Sequence, residues 1–376
     1  MAPTEILAEQ HFRGISSLLA ERTRFRVGYL TSAVKGSDRK SLMQDLKAGK
    51  IDLLIGTHAL IEKPVDFARL GMIVVDEQHR FGVLQRSRLM QKGSHPDVLV
   101  MTATPIPRSL ALTLYGDLDL SVLDEMPPGR RPVQTVLAGE KKRAEIYRGL
   151  RRQVRQGRQA YIVYPLVEES EKLDLKAAVE MAAHLQEDVF PDLHIGLLHG
   201  RLKSDEKEAV MKAFARGQSD ILVSTTVIEV GVDVSNASIM VVEHAERFGL
   251  SQLHQLRGRI GRGPHESYCV LMMGPRVGDE ARQRLEIMRR SNDGFKIAEK
   301  DLELRGPGEF IGTRQSGLPE FSFANLARDR KWIERSHQDA RQFIQEELKQ
   351  EGGDRKRLLN RLKGIFKDRL PLARVG

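Results

Sequence analysis

The chain has 376 residues, 30% charged and 40% hydrophobic, and its 60 Lys and Arg against 51 Asp and Glu give a net charge of +9. That length suits about two domains with separate cores, and the basic excess favours a polyanionic partner. Cys269 is the only cysteine, which excludes an internal disulfide and a cysteine zinc site; no apolar run nears the roughly 20 residues of a membrane span, and a cytoplasmic protein is expected.

The first part alternates strand candidates at 26–30, 52–55, 72–75 and 98–101 with helical stretches at 6–21, 38–47, 82–91 and 107–115. Strands alternating with helices imply a parallel sheet. Residues 126–132, with three prolines and a glycine, read as a linker closing a first unit of residues 1–125. The alternation resumes over 133–275, with strands at 135–137, 160–163, 194–198, 221–223, 239–242 and 267–273. Helices are expected there at 141–156, 175–187, 204–215 and 251–260. Residues 276–376 form an appendage, helical at 279–289, 296–303 and 323–351, with a glycine-rich stretch at 305–317. The expected class is therefore α/β: two parallel-sheet lobes and a mainly helical C-terminal part. No short-period repeat is evident, so the lobes are expected to share a fold without sharing sequence.

The sharpest chemical signal is Met72-Ile-Val-Val-Asp-Glu-Gln-His79. A run of β-branched residues reads as a buried parallel strand, and ligands collect at the carboxyl ends of such strands. Two adjacent carboxylates there suit a nucleotide-borne Mg²⁺, Asp76 holding the ion through water and Glu77 activating the attacking water. Alone, the pair would pass for polar turn residues. The second signal is Gln255-Leu-Arg-Gly-Arg-Ile-Gly-Arg262, which sets Arg257, Arg259 and Arg262 on or near one short helix. Arginine forks bind phosphate oxygens, although such segments are often solvated basic faces. Its place in the other lobe fits a nucleotide held between lobes.

Together these segments resemble the superfamily-two helicases, and within them the RecG branched-DNA helicases. Met1–His11 resembles motif Ia, and Gly56–Ile61 the next DNA-contacting loop. Asp76–His79 resembles the Walker B motif, and Thr102-Ala-Thr-Pro-Ile-Pro-Arg-Ser109 motif III. Leu198–Gly200, Ser224–Asp233 and Gln255–Arg262 resemble motifs of the second lobe. The likeness covers nearly the whole chain and implies two RecA-like lobes, the first incomplete at its N-terminus.

The resemblance further implies ATP and Mg²⁺ as cofactors, with Asp76, Glu77, Gln78, His79, Arg259 and Arg262 catalytic, and Gly231, Asp233, Gln255, Arg259 and Arg262 on the nucleotide. Thr4, Thr57, His58, His199 and Thr225 are expected on DNA; Thr4 and Thr57 open helices, whose N-termini hold phosphates. Thr102 and Thr104 would link nucleotide state to DNA grip. Residues 291–317 resemble the translocation motif shared with the transcription-repair coupling factor, which gives Arg284, Arg305 and Gln315 a coupling role. The expected partner is branched double-stranded DNA, at forks and Holliday junctions near the nucleoid, with single-stranded-DNA-binding protein as a further partner and the chain as a monomer.

Nowhere does the sequence contain a Gly-x-x-x-x-Gly-Lys-Ser/Thr phosphate loop. The family carries that loop upstream of motif Ia, with an N-terminal wedge domain, so the chain reads as the C-terminal motor portion of a longer protein. Its first sheet should then lack a strand near its middle, exposing apolar side chains and unpaired backbone groups. Two other readings stay open: the motor of a transcription-repair coupling factor, and a non-catalytic DNA-binding module, which the absent loop favours.

Overall fold

The computed structural model describes residues 1–104, 118–127, 129–165, 171–225, 234–305 and 329–347, with Arg357, Asn360, Arg361 and Gly364. The expected helix at 107–115 and most of the glycine-rich stretch lie outside the described residues.

The first unit comprises α1 (Glu5–Ala20), β1 (Val27–Leu30), α2 (Gly36–Lys47), β2 (Leu53–Gly56), β3 (Met72–Val75), α3 (Val83–Met90) and β4 (Asp97–Val100). Instead of one sheet it has two parallel pairs, β1 with β2 and β3 with β4. Met1 and Ala2 lie between them. The Ala2 amide donates to the Gly56 carbonyl at 2.9 Å, the Met1 amino group to Val74 O at 2.7 Å, and the Asp76 amide to Met1 O at 3.0 Å. Two residues bridge the pairs where longer neighbours would make a ladder. Met72 stays 56% exposed and Leu99 46%, an unusual state for a parallel sheet, whose strands are ordinarily covered on both faces.

The second unit is a six-stranded parallel sheet of order β5-β10-β9-β6-β8-β7. Its strands are β5 (Gln134–Gly139), β6 (Gln159–Val163), β7 (Ile195–Leu198), β8 (Ile221–Ser224), β9 (Ala237–Val242) and β10 (Tyr268–Met273). The residues of β6, β8 and β9 are buried throughout, which explains their unbroken apolar runs: a central parallel strand has no solvent face. Two cores flank the sheet. One is built with α4 (Arg143–Arg155) and α5 (Glu171–His184), which continues as a π turn at Leu185–Val189. The other takes α6 (Ser204–Ala215), α7 (Leu250–Arg257) and the hairpin of α8 (Asp279–Arg290) and α9 (Gly294–Arg305). Ile6 of α1 packs on this second core, so the first unit meets that face of the sheet. A further helix, α10 (Arg330–Glu347), ties back through Arg341 to Asp119 at 2.9 Å.

The two units share more sequence than expected. Val74-Val-Asp-Glu-Gln-His-Arg-Phe-Gly-Val-Leu-Gln85 recurs as Val241-Val-Glu-His-Ala-Glu-Arg-Phe-Gly-Leu-Ser-Gln252. Both copies leave a strand through an acid and then a left-handed residue, Glu77 at φ 50° or His244 at φ 47°. Both then make one 3₁₀ turn. In each, a glutamine side chain accepts the amide of the glycine that starts the following helix, Gln85 from Gly82 at 3.1 Å and Gln252 from Gly249 at 3.3 Å. The repeat escapes a search at short period because its copies stand well over a hundred residues apart.

Candidate active site at the meeting of the two units

β3 delivers Asp76 and Glu77 to the carboxyl end of its sheet, where the chain must turn sharply. Asp76 accepts the Glu77 amide at 2.9 Å on one oxygen and faces His11 Nε2 at 2.9 Å on the other. The bond to His11 holds its carboxyl below the ordinary 3.8, against the opposing effect of burial. Asp76 is thus a firmly ionised hard oxygen donor, which suits Mg²⁺. His11, from α1, is a site residue that the motif reading did not single out; its only sequence signal is a place at the end of the Met1–His11 segment.

Glu77 sits in the left-handed region with ψ 55°. A side chain that carries a Cβ pays about 1–2 kcal/mol there, and the turn aims its carboxylate at the neighbouring strand end, where it accepts the Ala103 amide at 3.2 Å. Gln78 is buried, its amide bound to Met101 O at 3.0 Å. His79 lies in the same 3₁₀ turn, with its side chain outside the described part.

Thr102 and Thr104 follow β4. The Thr102 hydroxyl accepts the Thr104 amide at 3.1 Å, and the Thr104 hydroxyl accepts from the side-chain amide of Gln255 in the second unit. A path of polar contacts therefore runs from Glu77 through Ala103 and Thr104 to α7. No single-motif reading joins these residues, because the path crosses 151 positions of sequence.

At the far end of α7 the three arginines part company. Arg257 is on the helix and 4% exposed. It donates to Met288 O and Ser291 O, both at 2.8 Å, and to the Thr135 hydroxyl at 3.2 Å. Its guanidinium serves the end of α8, which corrects the expectation of a phosphate-facing or solvated side chain. Arg259 and Arg262 lie beyond the helix on the loop, Arg259 partly buried and Arg262 exposed with Nε donating to Gly258 O at 3.1 Å. The linker joins in, since Arg130 donates to the same carbonyl at 3.3 Å. Two glycines shape this loop: Gly261 has φ 75°, and a Cβ on Gly263 would stand 2.3 Å from Ser235 O. Gly231 and Asp233 lie outside the described residues.

Of the residues expected on DNA, Thr57, His199 and Thr225 directly follow strand ends. Thr4 caps α1, its hydroxyl accepting the Leu7 amide at 3.3 Å. Thr57 instead precedes a 3₁₀ helix, His58–Ile61, without capping it. Thr57 and Thr225 are each 1% exposed, and their hydroxyl oxygens have no hydrogen-bond partner, nor has His199 Nδ1. A buried polar atom without a partner costs about 1–3 kcal/mol, and such atoms at the ends of β2, β7 and β8 are suited to an external ligand. His58 is exposed. Burial, helped by nearby Lys207, lowers the pKa of His199 and favours the neutral ring. Arg284 of α8 donates to the Glu246 carbonyl at 3.1 Å, so the hairpin rests on the second copy of the repeated turn. Arg305 ends α9 with its side chain outside the described part, as is Gln315 altogether. Among the described residues no group of three or more His, Cys, Asp or Glu could hold a metal ion.

Comparison with known proteins agrees with this layout. Family models match in three consecutive stretches: DEAD/DEAH box helicase over residues 1–113, helicase conserved C-terminal domain over 141–264, and ATP-dependent DNA helicase RecG, domain 3, C-terminal, over 291–375. The ATP-dependent DNA helicase RecG of Synechocystis sp. is 59% identical over 88% of this chain and 40% of its own length. That of Bacillus subtilis is 52% identical over 92% of this chain and 50% of its own length. The chain thus spans about half or less of the curated relatives it matches. A solved structure of RecG bound to a three-way DNA junction matches with a TM-score of 0.71 and 51% identity, covering 89% of this chain and 43% of that one. A solved structure of Mss116p bound to single-stranded RNA and AMP-PNP, with a TM-score of 0.55 at 19% identity, shares the fold alone. By sequence along nearly all its length and by structure, the chain belongs to the RecG helicase family and matches its C-terminal helicase portion.

Proposed function

We propose that the chain is the motor portion of an ATP-driven helicase that moves along the duplex arms of branched DNA, at forks and Holliday junctions, in recombination and repair. The observation that carries this reading is the polar path from Glu77 through Ala103 and Thr104 to Gln255. Such a path makes the geometry of one unit's acid pair depend on the position of the other unit, as a closure-driven motor requires.

Asp76 would hold Mg²⁺ and Glu77 would orient or deprotonate the attacking water, with Gln78 and His79 positioning the turn. The cation, when bound, draws off charge developing on the phosphates. Arg259 and Arg262, with Gln255, Gly231 and Asp233, take the nucleotide from the second unit. Thr4, Thr57, His58, His199 and Thr225 receive the DNA backbone without reading bases. Thr102, Thr104, Arg284, Arg305 and Gln315 pass closure on to the duplex. The working unit is a monomer with single-stranded-DNA-binding protein as a further partner. Because the sequence has no phosphate loop, the 376 residues alone hydrolyse ATP weakly or not at all: the β- and γ-phosphates lack their amide cradle and lysine.

Binding to a synthetic three-way junction and to a linear duplex of the same composition, followed by fluorescence anisotropy over a salt series, tests the reading. The expected result is tighter binding to the junction, weakening steeply with salt. Equal affinity for both, or a slope near zero, would overturn it.

A further inference from the structure

Helix α4 stands apart from the other charged helices. Between Glu140 and Arg158 the sequence carries eight basic and two acidic side chains. On α8, by contrast, four arginines accompany three acids, and Arg284, Arg289 and Arg290 all bond to glutamates on their own helix. The inward arginines of α4 are neutralised too. Arg143 binds Glu243 at 2.6 Å and Glu140 at 2.5 Å, while Arg151 binds Asp192 at 2.9 Å and lies over the Phe190 ring. The outward ones are not. Arg148 and Arg152 are exposed and have no acidic partner among the described residues, and Arg155, 67% exposed, reaches only the already engaged Asp192, at 3.5 Å. Positions 148, 152 and 155 follow helical spacing, so these cations form one stripe. Lys141 and Lys142, also exposed, lie in the 3₁₀ turn before the helix, with the exposed Glu145 between them and Arg148.

The stripe lies away from the site described above. Leu150 and Val154 anchor α4 on the core opposite the one that carries α6, α7, the hairpin and Ile6. As the crossover from the end of β5 to the start of β6, α4 also runs back toward the amino ends of the strands, whereas Thr225, His199 and Arg259 follow carboxyl ends or α7. The basic segment from residue 141 to 155 spans roughly 20 Å, the length of several phosphates along a duplex. Leaving cations of one sign unpaired on a helix costs self-repulsion of a few tenths of a kcal/mol per pair, which a polyanion would relieve.

We propose that the outward face of α4 binds the sugar–phosphate backbone of a second duplex arm, separate from the arm gripped by the motor. The inference rests on the branched-DNA reading, since a junction brings more than one arm to the protein and a linear duplex does not. Recognition is by charge alone, so it is independent of sequence.

The test compares the 376-residue chain with its R148A/R152A/R155A and R148K/R152K/R155K variants, each binding a three-way junction and a linear duplex over a potassium chloride series. Neutralising three phosphate contacts removes about 0.9 from the log–log salt slope for each. The alanine variant should therefore lose about 2 to 3 from its junction slope and much less from its linear-duplex slope. The lysine variant, with charge retained, should keep the parent's slope. Circular dichroism shows that each variant is folded. An unchanged junction slope in a folded alanine variant overturns the proposal while the branched-DNA reading survives. Equal losses on both DNAs overturn the second-arm assignment, and failure of the parent chain to prefer the junction overturns both readings.

Discussion

Glu77 is held in a left-handed backbone conformation that its own chemistry disfavours, and the strain is offset by a carboxylate delivered to the Ala103 amide beside the second unit. If Glu77 positions water, Glu77→Gln in a chain joined to the phosphate-loop segment of a RecG relative should bind ATP normally and lose hydrolysis, since the amide keeps the shape and lacks the basic oxygen. Arg262→Ala should cut turnover far more than nucleotide affinity, because its charge counts most in the transition state; near-normal turnover in single-turnover kinetics removes either residue from the catalytic set. A third expectation concerns pH. Burial, then Arg257, lowers the pKa of His254 from 6.5 to about 4. The unfolded chain takes up a proton that the folded chain refuses, so the stabilisation is present above pH 6.5 and is lost as pH falls toward 4. Between pH 7 and pH 5 the loss is about 2 kcal/mol. Denaturant titrations should show it in the parent and a smaller pH effect in His254→Gln; equal pH effects would contradict the assignment.

Among the elements, α7 is the one that several parts of the molecule share. Its start follows the repeated turn on which Arg284 rests, its Gln255 reaches Thr104, and its Arg257 holds the end of α8. Arg257→Ala should destabilise the second unit by about 2–4 kcal/mol, leaving the Met288 and Ser291 carbonyls buried without donors. A change below 1 kcal/mol in chemical denaturation would deny the clamp. Gln315→Ala, in the phosphate-loop-joined chain, should leave DNA-stimulated hydrolysis largely intact and strongly reduce fork unwinding, because chemistry needs only the meeting of the units whereas movement needs a part coupled to it; equal loss of both activities would contradict a coupling role. The strands were legible because buried parallel strands leave unbroken apolar runs: β3 was expected at 72–75 and lies there. The ends of α7 were not, since the expected 251–260 runs past Gly258, where the helix stops at Arg257. The role of Arg257 is hidden for a related reason: an arginine in a basic run looks alike whether it faces phosphate or a helix end, and only the tertiary position of α8 decides.

Across the whole molecule, the sequence motifs single out the acid pair and the Gln255–Arg262 segment but not the contacts made by Asp76 and Gln255. His11 on Asp76 and Gln255 on Thr104 each depend on long-range placement that spacing does not encode. The split of the first sheet into two pairs, bridged by Met1 and Ala2, likewise follows from neighbours in space. The turn shared by the two units adds a point about the site itself. In the first unit its leading acid, Asp76, meets His11. In the second that position is Glu243, buried and bound by Arg143 through both guanidinium nitrogens, at 2.6 and 3.0 Å. One turn thus sets its carboxylate on the half-exposed His11 in one unit and locks it to Arg143 in the other, so on the proposed reading a single nucleotide site per chain is expected. Fork-stimulated ATP hydrolysis by the chain joined to a phosphate-loop segment, measured beside the same protein carrying Glu77→Gln, tests the central claim most directly. The account predicts turnover that rises with a synthetic fork and vanishes in the variant. A folded joined chain without such turnover, or turnover indifferent to Glu77, would contradict it.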